Sequence, residues 1–273
     1  MVFDVSCLPQ CAVMGIVNVT PDSFSDGGRY LASKDAISHA HSLIEKGASI
    51  IDIGGESTRP GAVSISVDEE LDRIMPVVVG VRESSSALLS VDTTKPSVAR
   101  EALLVGVDII NDVSGGSNPE MLEVVAEFDA GIVLMHMQGQ PLSMQVAPQY
   151  ANVVDEVADY LVRQKYLATV SGIRAEAIIV DPGIGFGKTV EHNLALLGSV
   201  VELRDRVGAA VMIGASRKRT LAAIVGDDEH ARDDATMAVS VMSFVQGAAI
   251  VRVHDVSSSV LAAKWITTRQ AAA

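Results

Sequence analysis

Cysteine is nearly absent from this chain, which has only Cys7 and Cys11 among its 273 residues. Both lie near the N-terminus, and their spacing has no matching cysteine or histidine pair elsewhere in the sequence. Small secreted domains are stapled by several disulfides, and zinc sites need about four well-spaced ligands. We therefore interpret both cysteines as reduced thiols, and not as a disulfide or a metal site.

Basic residues and long apolar runs are also scarce. The chain has 21 Lys and Arg against 34 Asp and Glu, a net charge of −13, which disfavours binding to nucleic acid or an anionic membrane. No apolar run approaches the roughly 18 residues of a membrane span, and no basic segment precedes an apolar one at the N-terminus. We expect a cytoplasmic protein without nucleic-acid or membrane partners. Cations near strand ends could still form a local anion site; they are Arg59, Lys188, Arg217, Lys218, Arg219 and Arg252.

Short apolar runs are abundant, and nearly all of them end in a polar residue. Their uniform apolarity is typical of strands buried on both faces, as in a parallel sheet covered by helices. The eight runs, with the polar residues after them, are Val13 to Val17 (Asn18), Ser49 to Ile51 (Asp52), Leu88 to Val91 (Asp92), Val107 to Ile110 (Asn111, Asp112), Ile132 to Met135 (His136), Ala177 to Val180 (Asp181), Val211 to Ile213 (Gly214, Ser216, Lys218) and Ala249 to Val251 (Arg252, His254).

The segments between the runs have helical periodicity and recurrent start and stop signals. Ser33, Ser66, Pro96 and Pro119 mark helix starts. The predicted helices are Ser33 to Gly47, Val67 to Glu83, Pro96 to Gly106, Pro119 to Ala130, Asn152 to Gly172, Val190 to Val207, Ala231 to Gly247 and Ser257 to Arg269. Eight strand–helix units in this length predict an α/β fold, a single (β/α)8 TIM barrel spanning residues 1–273.

In such a barrel the polar strand ends converge at one mouth, where barrel enzymes place their chemistry. A single Asp or Asn at a strand end is more often a turn or cap residue. Repetition of polar ends at nearly every run instead favours an active site at the C-terminal ends of the strands.

Two long loops follow the first two runs, at 19–28 and 53–62, and both are rich in glycine and hydroxyl residues. They could close on a ligand, with Phe24 as an apolar lid and Arg59 as an anion clamp, or they could be ordinary solvated turns. Ser216 to Lys218 before a short helical segment, with Arg252 and His254 on the next strand, suggests phosphate recognition.

A glycine-rich segment, Gly183 to Thr189, superficially resembles nucleotide-binding motifs. A phosphate-binding loop needs glycine where Pro182 lies, and a dinucleotide fingerprint needs its third glycine where Lys188 lies. Neither motif fits. We interpret the segment as a loop that brings Phe186 over a flat ring.

The strings at residues 14–28 and 52–61 resemble the two signature segments of the dihydropteroate synthase family. The similarity continues, in the family's order, through residues 90–93, 110–114, 134–139, 181–188, 216–218 and 252–255. Because long strings recur at every strand, the resemblance is specific and covers nearly the whole chain.

The resemblance implies the condensation of 6-hydroxymethyl-7,8-dihydropterin pyrophosphate with 4-aminobenzoate, which gives 7,8-dihydropteroate and pyrophosphate in folate biosynthesis. It implies a dissociative course with Asp92, Lys218, Arg59 and Asp52 as catalytic residues, and with Mg²⁺ on Asn18. The implied pterin-binding residues are Asp92, Asn111, Met135, Asp181, Phe186, Gly214 and Lys218. Those for aminobenzoate are Phe24, Thr58, Arg59, Pro60 and Ser216, and those for pyrophosphate are Asn18, Thr58, Arg59, Arg252 and His254.

The sequence leaves two alternative functions. A catalytically silent pterin-binding homologue is disfavoured because the matched polar positions are retained, and a corrinoid-linked pterin methyltransferase is disfavoured because it would not use the aminobenzoate and pyrophosphate loops. The resemblance also implies a sulfonamide target and a homodimer through late helices such as Ala231 to Gly247, with Met237, Val241 and Phe244 as an apolar face.

Overall fold

The computed structural model describes residues 2–20, 28–57, 63–139 and 144–272. Its strands form one closed parallel barrel in sequence order, because β8 pairs with β1 as well as with β7. The strands are β1 Ala12–Asn18, β2 Ile50–Gly54, β3 Leu88–Asp92, β4 Ile109–Asp112, β5 Gly131–Met135, β6 Ile178–Asp181, β7 Ala210–Ile213 and β8 Ile250–Val253. The predicted TIM barrel is confirmed.

Helices surround this barrel and cover the outer faces of its strands. They are α1 Gly28–Glu45, α2 Val67–Ser84, α3 Pro96–Leu104, α4 Pro119–Glu127, α5 Val153–Val170, α6 Val190–Gly198, α7 Val200–Val207, α8 Arg219–Val225, α9 Glu229–Val245 and α10 Val256–Ala271. None of the helices in the described ranges combines the length and apolarity that crossing a membrane requires.

Two predicted helix features are wrong. Ser33 does not begin a helix, because α1 already starts at Gly28. The predicted helix from Val190 to Val207 is two helices, broken at Ser199, where φ is −118° and ψ is 25°. The other predicted helices exist, with ends shifted by a few residues. Ser66 caps α2 as predicted, and its hydroxyl accepts a hydrogen bond from Glu69 N at 3.1 Å.

The N-terminal segment covers the end of the barrel opposite the mouth. Phe3 is buried, and a Cβ added to Gly131 at the start of β5 would lie 2.5 Å from its ring. The Phe3 amide donates to Asp129 O at 3.1 Å, and its carbonyl accepts from Arg174. Glycine at 131 therefore makes room for the aromatic ring.

Strand register aligns the polar ends at the mouth. Gly54 pairs with Asn18 on one side and with Asp92 on the other, and Asp92 pairs in turn with Asn111. Met135 pairs with Asp181 across β5 and β6. Four polar strand ends, Asn18, Asp92, Asn111 and Asp181, thus lie at the same end of the barrel, as the sequence pattern predicts.

Candidate active site

An ion-pair network crosses the mouth from β8 to β2 and β3. Arg252 Nε donates to Asp52 Oδ2 at 2.6 Å, and Arg252 Nη2 donates to Asp92 Oδ2 at 2.8 Å. Asn111 Nδ2 donates to the same Asp52 oxygen at 3.1 Å. Asp52 is completely buried, so the guanidinium offsets a desolvation cost that an unpaired carboxylate could not bear.

The second oxygens of these carboxylates are unpaired. Asp52 Oδ1 and Asp92 Oδ1 are buried and have no hydrogen-bond partner among the described residues. Burial, opposed by the nearby Arg252 charge, raises the pKa of Asp92 from 3.8 to about 7. Buried unpaired acceptors in a native fold call for a ligand or solvent donor, so this part of the mouth is suited to a ligand with N–H groups.

Asp181 and Lys218 form a second charged wall. Asp181 Oδ1 accepts the Gly183 amide at 2.7 Å, and Lys218 Nζ donates to Ile184 O at 2.6 Å. Burial raises the pKa of Asp181, and the positive charge of Lys218 opposes this rise. Burial lowers the pKa of Lys218 to about 8, and the negative charge of Asp181 opposes this fall. Each charge therefore stabilises the other inside the mouth.

Gly214 lies at the centre of this charged wall. A Cβ added there would lie 3.5 Å from Asp181 Oδ2, 3.8 Å from Lys218 Nζ and 3.9 Å from the Cβ of Arg252. A larger side chain at 214 would occupy the space that these three groups share. The missing side chain leaves room for a ligand against the backbone of β7.

An apolar patch adjoins the lysine. Val113, Met135, Met144 and Phe186 form one buried cluster that is separate from the main core. Lys218 Nζ lies 4.5 Å from the centroid of the Phe186 ring, in a cation–π contact. The cluster brings together Met135 and Phe186, two of the predicted pterin-binding residues, on one surface beside Lys218.

Ser216 and His254 meet between β7 and β8. Ser216 Oγ lies 3.0 Å from His254 Nδ1 and accepts the His254 amide at 3.2 Å. The next residue, Arg217, has a left-handed φ of 56° and forms a two-bond ion pair with Asp233 of α9, both bonds at 2.8 Å. The ion pair fixes the loop that carries Ser216 and Lys218 to the outer helix.

Asn18, the predicted magnesium ligand, is half-buried at the end of β1. Within the described ranges no group of three or more His, Cys, Asp or Glu side chains could hold a metal. Mg²⁺ needs few protein ligands when it retains waters and binds phosphate oxygens, so one amide oxygen at the rim fits this ion. Phe24, Thr58, Arg59 and Pro60 lie outside the described residues.

The expectation that Lys188 and Arg217 contribute to an anion site is wrong. Arg217 is paired with Asp233 and Glu229. Lys188 is buried and its ammonium binds backbone carbonyls and His136. His136, the polar residue after β5, is itself buried and in contact with this ammonium. Residue type alone does not reveal whether a loop lysine faces an anion or the protein backbone.

The pterin binding enzyme family model matches residues 14–254. Dihydropteroate synthase of Escherichia coli (strain K12) is 45% identical over 254 residues, which cover 93% of this chain and 90% of that protein. The chain belongs to the dihydropteroate synthase family of pterin-binding enzymes.

Solved structures of the dihydropteroate synthase family show the same fold. The Xanthomonas albilineans enzyme with 4-aminobenzoic acid is 42% identical, with a TM-score of 0.89 over 95% of this chain and 93% of that one. The Yersinia pestis enzyme with a sulfonamide drug is 39% identical, with a TM-score of 0.90 over 98% of this chain and 96% of that one. These matches confirm the family and the fold predicted from the sequence.

Proposed function

We propose that this protein condenses 6-hydroxymethyl-7,8-dihydropterin pyrophosphate with 4-aminobenzoate to give 7,8-dihydropteroate and pyrophosphate. The observation that carries the proposal is the mouth itself, where three buried aspartates, Asp52, Asp92 and Asp181, face the cations Lys218 and Arg252. This arrangement suits a substrate with N–H donors at one end and a departing anion at the other.

The pterin ring would bind between β4 and β7. Asp181 would accept the amino and ring N–H donors of the pterin edge, and Asn111 would supply a second polar contact from β4. Lys218 would donate to a ring acceptor, and Gly214 would leave space beside both groups. Met135 and Phe186 would provide the apolar contact for the flat ring.

Pyrophosphate would depart on the side of β1 and β8. Breaking the C–O bond places negative charge on the leaving group, which Arg252 and His254 would stabilise. Asn18 would hold Mg²⁺, and that ion supplies charge neutralisation for the phosphate oxygens when it is bound. From the family resemblance, we also assign Thr58 and Arg59 to this pyrophosphate subsite.

The same bond breakage leaves positive charge on the pterin methylene. Asp92 lies at the end of β3 and has an unpaired buried oxygen, so its anionic form would stabilise this carbon. Asp52 would hold Arg252 in place through their 2.6 Å hydrogen bond. The aniline nitrogen then attacks the methylene with its lone pair and loses a proton, so no covalent enzyme intermediate is needed.

Aminobenzoate would bind next to Ser216 at the outer side of the mouth. Phe24, Thr58, Arg59 and Pro60 are assigned to this pocket by the resemblance. The Yersinia pestis relative is a complex with a sulfonamide drug, and we propose that this chain is a sulfonamide target as well.

Pyrophosphate release from the pterin substrate, assayed with and without aminobenzoate, tests this function. We expect release that depends on aminobenzoate. A silent pterin-binding homologue would release no pyrophosphate. A corrinoid-linked methyltransferase would show no aminobenzoate dependence. Either result in a folded, magnesium-supplied protein would overturn the proposal.

We also infer a homodimer in the cytoplasm, but Phe244 does not belong to its apolar face. Phe244 is buried in the core and cannot belong to that face, whereas Met237 and Val241 are only partly buried. The exposed apolar side chains on the neighbouring helices α9 and α10 are Met242, Val245, Leu261 and Trp265. Their exposure supports association, because exposed apolar side chains favour interfaces.

A further inference from the structure

Lys188 belongs to the glycine-rich segment that matches neither nucleotide-binding motif, and the structure gives it a different environment. Only 3% of the residue is exposed. Its Nζ lies 2.9 Å from His136 Nδ1, 3.0 Å from Gly183 O, 3.0 Å from Phe186 O and 3.3 Å from His136 O. Holding a buried lysine in one conformation with this many partners costs considerable side-chain entropy.

Each of these four contacts is to a hydrogen-bond acceptor. The three carbonyl oxygens can only accept. Burial and the nearby Lys188 charge lower the pKa of His136 to about 3, so its ring is neutral and Nδ1 can accept as well. Burial lowers the pKa of Lys188 to about 7, and Asp181 opposes that effect. The set of acceptors favours the ammonium form, since an ammonium has three N–H donors and these carbonyl oxygens can only accept.

The carbonyls that Lys188 binds belong to the segments that position the proposed pterin-binding residues Asp181, Phe186 and Lys218. Gly183 donates its amide to Asp181, and Phe186 places its ring against the Lys218 ammonium. Ile184, between them, accepts from Lys218 through its carbonyl. The backbones approach so closely that a Cβ on Gly183, whose φ is 69°, would lie 1.9 Å from His136 O. One ammonium thus joins the end of β5 to the loop after β6.

We propose that Lys188 is a positioning residue for the pterin subsite: its ammonium holds the loop after β6 against the end of β5, so that Phe186, Lys218 and Asp181 keep the geometry that binds the ring. Lys188 does not touch the substrate in this proposal. The inference rests on the proposed function, because it assigns Lys188 to the pterin half of that site.

The kinetic test replaces Lys188 with methionine, which keeps the length and removes every donor. We expect KM for the pterin pyrophosphate to rise about tenfold, the size of one or two lost hydrogen bonds, with a much smaller change in KM for aminobenzoate. Lys188→Gln, which restores two N–H donors without the charge, should recover part of the loss.

Lys165→Met is the matched control. Lys165 also donates to two backbone carbonyls, Val207 O at 3.0 Å and Gly208 O at 2.5 Å, but these lie at the end of the barrel opposite the mouth. We expect this variant to lose thermal stability and to keep both KM values. Equal KM changes for the two substrates in Lys188→Met would indicate general disruption and would overturn the proposal.

Fluorine NMR of protein labelled with 4-fluorophenylalanine provides a readout that does not depend on activity. The chain has five phenylalanines, and Phe186→Leu identifies the resonance of Phe186. In Lys188→Met that resonance should shift or broaden while those of the core residues Phe3 and Phe244 stay in place. Lys165→Met should leave the Phe186 resonance unchanged.

The outcomes separate this inference from the proposed function. An unmoved Phe186 resonance with wild-type pterin KM in folded Lys188→Met would overturn the positioning role. Failure of both Lys188 variants to fold would assign Lys188 to stability alone and would overturn it too. Wild-type protein that releases no pyrophosphate would overturn the function, whatever the NMR shows.

Discussion

At the residue scale, Asp92 and Lys218 have pKa values that burial moves towards each other. The pKa of the Asp92 carboxyl rises from 3.8 to about 7, and the pKa of the Lys218 ammonium falls from 10.5 to about 8. The proposed chemistry needs Asp92 ionised and Lys218 protonated. Activity should therefore fall as pH drops through the first value and again as pH rises through the second. We expect a narrow bell-shaped profile of kcat/KM for the pterin substrate.

Asp92→Asn tests the assignment of the acid limb. The variant should be much slower and should lose the fall below neutral pH, because its amide does not titrate. The alkaline limb from Lys218 should remain. A wild-type profile that is flat between about pH 6 and pH 9 would contradict the assignment of both groups.

Asp181→Asn should weaken binding of the pterin pyrophosphate by about 2 to 3 kcal/mol, as for a charge-assisted buried contact. The fold should survive, since burial disfavours the charge that this change removes. Titration calorimetry measures the affinity. Asp205→Asn, at an exposed position on α7, is the control. Unaltered affinity in folded Asp181→Asn would remove this residue from the site.

At the scale of elements, α9 holds the β7 loop through Arg217. The left-handed φ of Arg217 costs about 1 kcal/mol or more for a residue with a side chain, and the ion pair with Asp233 maintains it. Arg217→Gly removes both the strain and the ion pair. We expect its free energy of unfolding to stay within about 1 kcal/mol of wild type, because the two effects oppose each other.

Its activity should nevertheless fall. Without the ion pair, Ser216 and Lys218 lose their fixed spacing, so kcat/KM should drop about tenfold, while Arg217→Lys should fall less because it keeps one charged contact. Arg206→Lys, in the exposed ion pairs between α7 and α5, should leave kcat/KM unchanged. Wild-type kcat/KM in Arg217→Gly would show that other contacts place this loop.

The strands were predictable and the helix break was not, for related reasons. Strands buried on both faces leave a continuous apolar run in the sequence, and the polar rim follows directly from where each run ends. The apolar stripe of α6 and α7 runs through the break, since Leu196, Leu197, Val200 and Leu203 are all buried. Periodicity reports which face is buried, and it does not report that the backbone turns at Ser199.

The sequence pattern also could not predict which side chains in the site pair with each other. Asp52 and Arg252 are separated by 200 residues, and each was predicted at the mouth for its own polarity. Their hydrogen bond depends on barrel closure. The burial of Lys188 likewise depends on which carbonyls approach it. A lysine that follows glycines in the sequence gives no sign of whether it binds an anion or backbone carbonyls.

At the scale of the whole molecule, the only tryptophan reports on association. Trp265 on α10 is 69% exposed and Leu261 on the same helix is 63% exposed. If these side chains form the dimer contact, dilution should shift the tryptophan emission to longer wavelength as the ring enters water. Light scattering should give twice the chain mass at high concentration.

Leu261→Asp should then give a monomer, since a charge in an apolar interface is costly. The matched control is Val170→Asp at the end of α5, a position that is 61% exposed, and it should leave the mass unchanged. A monomer mass for the wild-type protein would contradict the dimer.

The ion pairs of Arg252 also constrain the order in which the protein can mature during synthesis. Asp52 and Asp92 leave the ribosome early, and their partner arrives 200 and 160 residues later. A nascent chain that ends before β8 would have to bury both carboxylates without this cation, which is unfavourable. The last strand therefore supplies the remaining barrel hydrogen bonds and the charge balance of the mouth in one step. A prematurely terminated chain should stay open at the mouth and be degraded, without competing with the complete enzyme for substrate.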